Sequence, residues 1–231
     1  MSTIEVNKIT PVSGGTTVTM GDSGDTFIIP SGATLDVASS ATADFTGATV
    51  TGLTDNNTWV LLQTTTLSST TGNVDFNNVF DSTYKNYVVL GSEIRGDANS
   101  KILCRFGTGS TPTFDSTSNY ERVVSYIGAN GNDSIKHSTT DTAVLVTPNT
   151  IDESDGDASF RMVFPEPQNT SRRLQVYFEG TEYTTDPTMM YYSGTGRCNN
   201  IPFATPVTSV RFTPNAGTGF DSGTFKLYGV K

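Results

Sequence analysis

From Thr58 onward, apolar and polar side chains alternate in short runs of about five residues, the period-two pattern of half-buried β-strands. The runs are Trp59-Val60-Leu61-Leu62, Asn86-Tyr87-Val88-Val89-Leu90, Ile102 to Phe106, Arg122 to Tyr126, Ala143 to Val146, Phe160 to Phe164, Leu174 to Phe178, Met189 to Tyr192, Val207 to Phe212 and Phe225 to Tyr228. Turn clusters such as Gly107-Thr108-Gly109, Gly128-Ala129-Asn130-Gly131, Asp155-Gly156-Asp157 and Asn215-Ala216-Gly217 separate them. About ten strands punctuated in this way predict an antiparallel β-sandwich, jelly-roll-like in layout. In Phe160 to Phe164 the apolar Phe160, Met162 and Phe164 share one face and Arg161 takes the other, with Val163 the exception.

The first 57 residues read differently. Apolar residues come in bursts too short to fold alone: Val18 and Met20, Phe27 to Ile29, Leu35 and Val37, Phe45, then Val50 and Leu53. Such rungs cannot offset the backbone entropy of ordering in one chain. They suit a short β-rung shaft in which three copies intertwine and bury the bursts on a common axis; a Thr/Ser/Gly linker is the competing reading. Residues 1 to 57 carry a net charge of −5 and two of the 23 aromatics, leaving −4 and 21 aromatics to the rest. That shift puts a boundary near Asp55-Asn56-Asn57, between a region 1–57 and a sandwich domain 58–231.

Composition then narrows the function classes. The 231 residues include 39 Thr and 22 Gly, which disfavour a helical bundle because Thr is stiff at χ1 and Gly costs helix stability. A net charge of −9 with 14 Lys and Arg argues against neutralising nucleic-acid phosphates. No run approaches the roughly 18 apolar residues of a membrane helix, and Met1 to Met20 lacks a basic start and an apolar core, so neither membrane insertion nor secretion is expected. Cys104 and Cys198 stand in separate alternating segments and read as reduced structural thiols before a disulfide. No cysteine or histidine spacing implies a metal or a cofactor.

Enzyme readings find little support. Gly21-Asp22-Ser23-Gly24 is similar to the nucleophile segment of chymotrypsin-like proteases, but no histidine precedes Ser23 and Asp25 replaces the following glycine. The single histidine, His137, sits in the polar segment Ser134 to Ser138 and reads as a surface residue. Asp152 to Asp157 loosely resembles a calcium loop but lacks the distal bidentate glutamate, so a solvated acidic turn is expected. Glu166, Glu179 and Glu182 are the carboxylates from which a glycosidase pair would have to come, and the spacing that such a pair needs is not legible in sequence. Arg95-Gly96-Asp97 matches an adhesion tripeptide in a turn-rich context where chance explains it. The expectation is a protein without catalysis.

The closing segment, Val207 to Phe212, then Gly217, Phe220 and Asp221-Ser222-Gly223-Thr224-Phe225-Lys226-Leu227-Tyr228-Gly229, resembles the C-terminal signature of tailed-phage fibre and minor virion proteins of the marine and cyanobacterial type. The opening Trp59 to Thr65 strand and Tyr84-Lys85-Asn86-Tyr87 are similar to two further segments of that module, so the resemblance spans residues 58–231. Ser2 to Ile9, and Ile29-Pro30-Ser31-Gly32-Ala33-Thr34-Leu35, resemble the virion-attachment end of such fibres, which implies attachment through residues such as Ile4, Val6 and Ile9. The resemblance implies a homotrimer on the surface of a particle assembled in the host cytoplasm, its N-terminal region docked on tail, adaptor or capsid proteins. It implies recognition of a host-surface polysaccharide, with a head fibre or decoration protein lacking any receptor as the alternative. It carries no catalytic residues across.

Within the sandwich, aromatics beside turns are the candidate glycan contacts: Tyr183, Tyr191 and Tyr192, with Arg197 nearby in an expected Gly194-Thr195-Gly196 loop. Packing is the competing role, since adjacent Tyr191 and Tyr192 must point to opposite faces of a strand, which buries one of them. Trp59 is expected in the core or at a subunit junction.

Overall fold

The computed structural model describes residues 59–231, and every regular element among them is a β-strand. In chain order they are β1 (Trp59–Leu67), β2 (Val74–Phe76), β3 (Asn86–Gly96), β4 (Ile102–Thr108), β5 (Thr113–Phe114), β6 (Tyr120–Gly128), β7 (Asp133–Asp141), β8 (Val144–Leu145), β9 (Ala158–Pro165), β10 (Gln175–Tyr183), β11 (Met189–Cys198), β12 (Ser209–Pro214) and β13 (Phe220–Val230). An eight-stranded sheet runs β1-β13-β3-β9-β10-β11-β6-β7, and a five-stranded sheet runs β2-β12-β4-β5 with β8 also paired to β4. All named pairs are antiparallel. Rings close the layer between the sheets: Phe160 of β9 meets Phe212 of β12 at 5.6 Å, Phe212 meets Phe225 of β13 at 5.2 Å, and Phe106 of β4 meets Phe164 of β9 at 6.3 Å between centroids. The all-β sandwich expected from the alternation is the fold. The shaft of residues 1–57, its boundary, the Ser23 segment and the attachment residues Ile4, Val6 and Ile9 lie outside the described residues.

Period two explains which residues enter the core. Phe160, Met162 and Phe164 are buried between the sheets while Arg161 is exposed. Val163 is buried as well, on the outer face, because Val88 and Tyr177 stand opposite it on the two neighbouring strands. On β13, Phe225 and Leu227 point inward and Lys226 outward.

The three segments that carry the phage resemblance become neighbours in the order β1-β13-β3. Trp59 pairs with Val230, its ring lying 5.6 Å from that of Tyr228 and still partly exposed, and Gly229 pairs with Tyr87. A Cβ on Gly229 would sit 2.4 Å from the Tyr84 ring, so the glycine makes room for that ring.

The same exchange of glycine for ring recurs across the sheet centre. Gly91, Phe160, Gly180 and Tyr192 stand opposite one another in sequence across β3, β9, β10 and β11, and Gly194 stands opposite Phe178. Alternating large and small residues lets the rings lie flat over the glycines and fills the interior without gaps. Gly91→Ala would place a Cβ 2.3 Å from the Phe160 ring, which is wedged between Phe212 and Phe225. It is expected to destabilise the domain by about 1–3 kcal/mol in urea unfolding. Gly131→Ala, where a Cβ meets nothing within 4 Å and only the φ of 80° resists, is expected to cost about 1 kcal/mol, the left-handed penalty alone. Equal losses at the two sites would contradict this account of the packing.

Candidate functional site

Odd-numbered residues on β6, β9, β10 and β11, and on β7 up to the register shift before Asp141, point away from the core and make up the outer face of the large sheet. The registers set them in rows. Arg161, Glu179, Ser193, Ser125 and Ile135 form one row across five strands. Val163, Tyr177, Thr195, Val123 and His137 form the next, and Gln175, Arg197 and Glu121 stand beyond it. On the other side lie Thr181, Tyr191 and Ile127.

The centre of this face is polar and its flanks are aromatic. Arg161 pairs with Glu179 at 2.7 Å, the Tyr191 hydroxyl lies 3.5 Å from Glu179 Oε2, and the Ser125 and Ser193 hydroxyls stand 3.3 Å apart. A shallow hollow of about 490 Å³ opens over these serines and Thr195, walled by Tyr177 and Ile135. Tyr177 is 51% and Tyr191 49% exposed. Tyr191 faces Thr181, four residues along β10 from Tyr177. The two rings are therefore separated by roughly 13 Å along the strand direction, the reach of a short oligosaccharide rather than of one sugar.

Of the four glycan contacts expected from sequence, three lie on the outward side of the sheet, and two of them, Tyr191 and Arg197, are exposed there while Tyr183 is partly covered. Tyr191 and Arg197 both lie on the outward side of β11, at opposite ends of the strand. Arg197 is held by Glu121 at 2.7 Å. That guanidinium, helped by Asn199, keeps the Glu121 carboxyl below its ordinary range. Tyr192 has no exposed surface, so its ring cannot stack on a ligand; it fills the space over Gly180. Tyr183 ends β10 opposite Met189, partly covered and away from the polar centre. Tyr177, Glu179, Arg161, Ser125 and Ser193 join the face only through register, which no local pattern encodes.

The remaining candidates fall apart. Glu179 and Glu182 lie three positions apart on β10 and so face opposite sides, while Glu166 lies beyond β9, paired with Lys85 and Arg172. Glu179 and Glu182 therefore do not converge on one side of the strand, and Glu166 is held by two cations. The Asp152 carboxylate accepts the amides of Ser154 and Asp155, which closes the acidic turn on itself. Asp97 of the Arg-Gly-Asp tripeptide accepts the amides of Thr218 and Gly219 and so anchors a loop. His137 is exposed on edge strand β7, a strand that sequence alternation missed because its only large apolar residue is Ile135. Cys104 and Cys198 are buried free thiols, their ionisation pushed up by burial.

No family model matches this chain, and no curated protein does. Among solved structures, a chain in the structure of infectious bursal disease virus, Gt strain, aligns at 10% identity over 72% of this chain and 40% of its own length, with a TM-score of 0.12. This chain thus spans less than half the length of that one, and at such a TM-score the likeness carries no argument.

Beneath the face lies one buried carboxyl. Glu182 Oε1 accepts the backbone and side-chain amides of Asn149, each at 3.0 Å, and Asn149 Oδ1 accepts Lys136 Nζ at 2.7 Å. Glu182 Oε2 and the Tyr192 hydroxyl are enclosed without partners. Burial pushes the Glu182 carboxyl up from an ordinary 4.5 to about 7, although Asn149, Lys136 and Lys101 pull it down. Because the folded value lies above the unfolded one, the stability conferred by the neutral carboxyl is complete below pH 4.5 and is lost as pH rises through 7. Glu182→Gln is expected to match the parent at pH 4 and to be more stable by up to about 3 kcal/mol at pH 8, measured by urea unfolding. Parallel stability curves for the two proteins would refute the assignment.

Proposed function

We propose that this chain is a structural protein of a tailed-phage particle, a trimeric fibre or spike attached through residues 1–57, whose sandwich offers the outer face of its large sheet to a host-surface glycan. The observation that carries the recognition reading is the constellation on that face: two half-exposed rings, Tyr177 and Tyr191, flanking a centre of paired serine hydroxyls and the Arg161–Glu179 pair. Sugar rings stack their apolar faces on aromatic side chains while their hydroxyls exchange hydrogen bonds with carboxylates, guanidinium groups and hydroxyls. A rigid strand scaffold holds those groups without an ordering cost at binding. Three tips on one fibre multiply weak contacts through effective concentration. The virion assignment is supported by the resemblance of the opening, Tyr84–Tyr87 and closing segments.

A second reading is favoured by one observation. Val123, Ile127, Ile135 and Met189 are also exposed around the same face. An apolar rim of that kind suits a protein neighbour in a capsid or tail lattice, as a head fibre or decoration protein would need.

Copy number separates the two. Quantitative mass spectrometry of purified particles is expected to find tens of copies per virion; hundreds would favour the decoration reading. Tyr177→Ala and Tyr191→Ala are each expected to weaken binding of the tip to host cells by about tenfold, as loss of one stacked ring implies, while costing no more stability than the roughly 0.2–1 kcal/mol of a cross-strand pair. Unchanged binding in the double variant would remove the glycan reading.

A further inference from the structure

The end of the outer face near Arg197 differs in charge from the rest of this acidic chain. Lys85, Arg172, Arg173 and Arg197 gather there against two carboxylates, Glu166 and Glu121. Glu166 is taken by Lys85, Arg172 and Asn169, and Glu121 by Arg197 and Asn199. Arg173 has no carboxylate partner among the described residues. Its guanidinium lies 4.1 Å from the centre of the Phe203 ring, its Nε is enclosed without an acceptor, and Glu121 feels it only as a weaker, longer-range attraction. The cation is thus fixed in place by a ring, with Glu121 in its field but no carboxylate in contact with it.

Arg173 and Arg172 line a hollow of about 330 Å³ whose other walls include Gln175, Thr195 and the exposed ring of Tyr177. Gln175 and Thr195, hydrogen-bonded to each other at 3.3 Å, also line the adjoining hollow that reaches Glu121, Arg197 and Val123, so the two depressions lie side by side. A planar guanidinium fork matches a carboxylate in bidentate geometry, and an aromatic wall beside it suits a pyranose ring rather than an extended peptide.

We propose that the hollow lined by Arg173 and Tyr177 is a subsite for an acidic saccharide, with the carboxylate of a uronic-acid-like unit on Arg173 and the ring of that unit against Tyr177. The inference rests on the glycan reading of the outer face and names the class of glycan. The net charge of −9 on the chain opposes dense polyanions such as nucleic acids at long range. At physiological salt that field decays within about 8 Å, so a sparse anion, one carboxylate per repeat, is governed by the local cations instead.

The test is an array of oligosaccharides printed in matched pairs, each acidic member beside its carboxyl-reduced counterpart, probed with the full-length protein and with Arg173→Gln, Arg173→Lys and Tyr177→Ala. Acidic members are expected to bind about tenfold better than their reduced partners, as one charge-assisted bidentate contact implies. Arg173→Gln should erase that preference while keeping weak binding to both members. Arg173→Lys should retain part of it, which also shows that the site survives substitution. Tyr177→Ala should weaken both members equally. Equal binding of both members by the parent, unaltered in Arg173→Gln, would overturn the acidic subsite and leave the glycan reading standing. Absence of binding to every saccharide would overturn both.

Discussion

Rings laid over glycines on the neighbouring strand hold the two sheets of the sandwich at their working distance. In the row Gly91, Phe160, Gly180 and Tyr192, each large group has a strand neighbour that offers only backbone, so the rings meet the opposite sheet without crowding one another. Phe160 then contacts both Phe212 and Phe225, which ties β9 to β12 and β13 in one cluster. A side chain at Gly91 would strike the Phe160 ring and one at Gly180 the Tyr192 ring, so both glycines hold open the seats of rings that pack between the sheets. Because register fixes which residues share a row, the packing inside also composes the face outside.

That coupling explains the candidate site. Tyr192 is buried over Gly180, so Tyr191 must point outward, and the β10–β11 register then places Tyr191 near Glu179. The same register puts Ser193 beside Glu179, and the β11–β6 register puts Ser125 beside Ser193. The groups are individually ordinary; their value lies in being held on a flat, rigid surface with few degrees of freedom to lose on binding. The cationic end has a different origin. Arg172 and Arg173 come from the connection before β10 rather than from a strand, and Phe203, from a later loop, holds Arg173.

Several elements were legible in the chain. The alternation from Trp59 to Tyr228 identifies ten of the strands. The adjacency of Tyr191 and Tyr192 requires that one be buried, though not which. What the pattern missed has a physical cause in each case. β2 and β5 are two or three residues long, too short for a period to register. β7 is an exposed edge strand, and an edge that faces water on most sides needs few apolar residues to mark it. Glycine misled in the other direction: Gly194 and Gly196, read as a loop, stand inside β11, where their lack of a side chain makes room for Phe178 and Val144.

The sequence by itself determined the all-β character of the described residues 59–231, because side-chain alternation, stiff threonines and frequent turn residues are local properties that need no partner to express. Tertiary structure alone decided which strands pair and in what register. It therefore decided that Glu179 and Glu182 face opposite sides, that Tyr192 leaves the surface, and that Tyr177 and Arg173 share a hollow. Those outcomes depend on contacts between residues distant along the chain, chosen by how rings and glycines fit across a shared interior, and no local pattern carries that information.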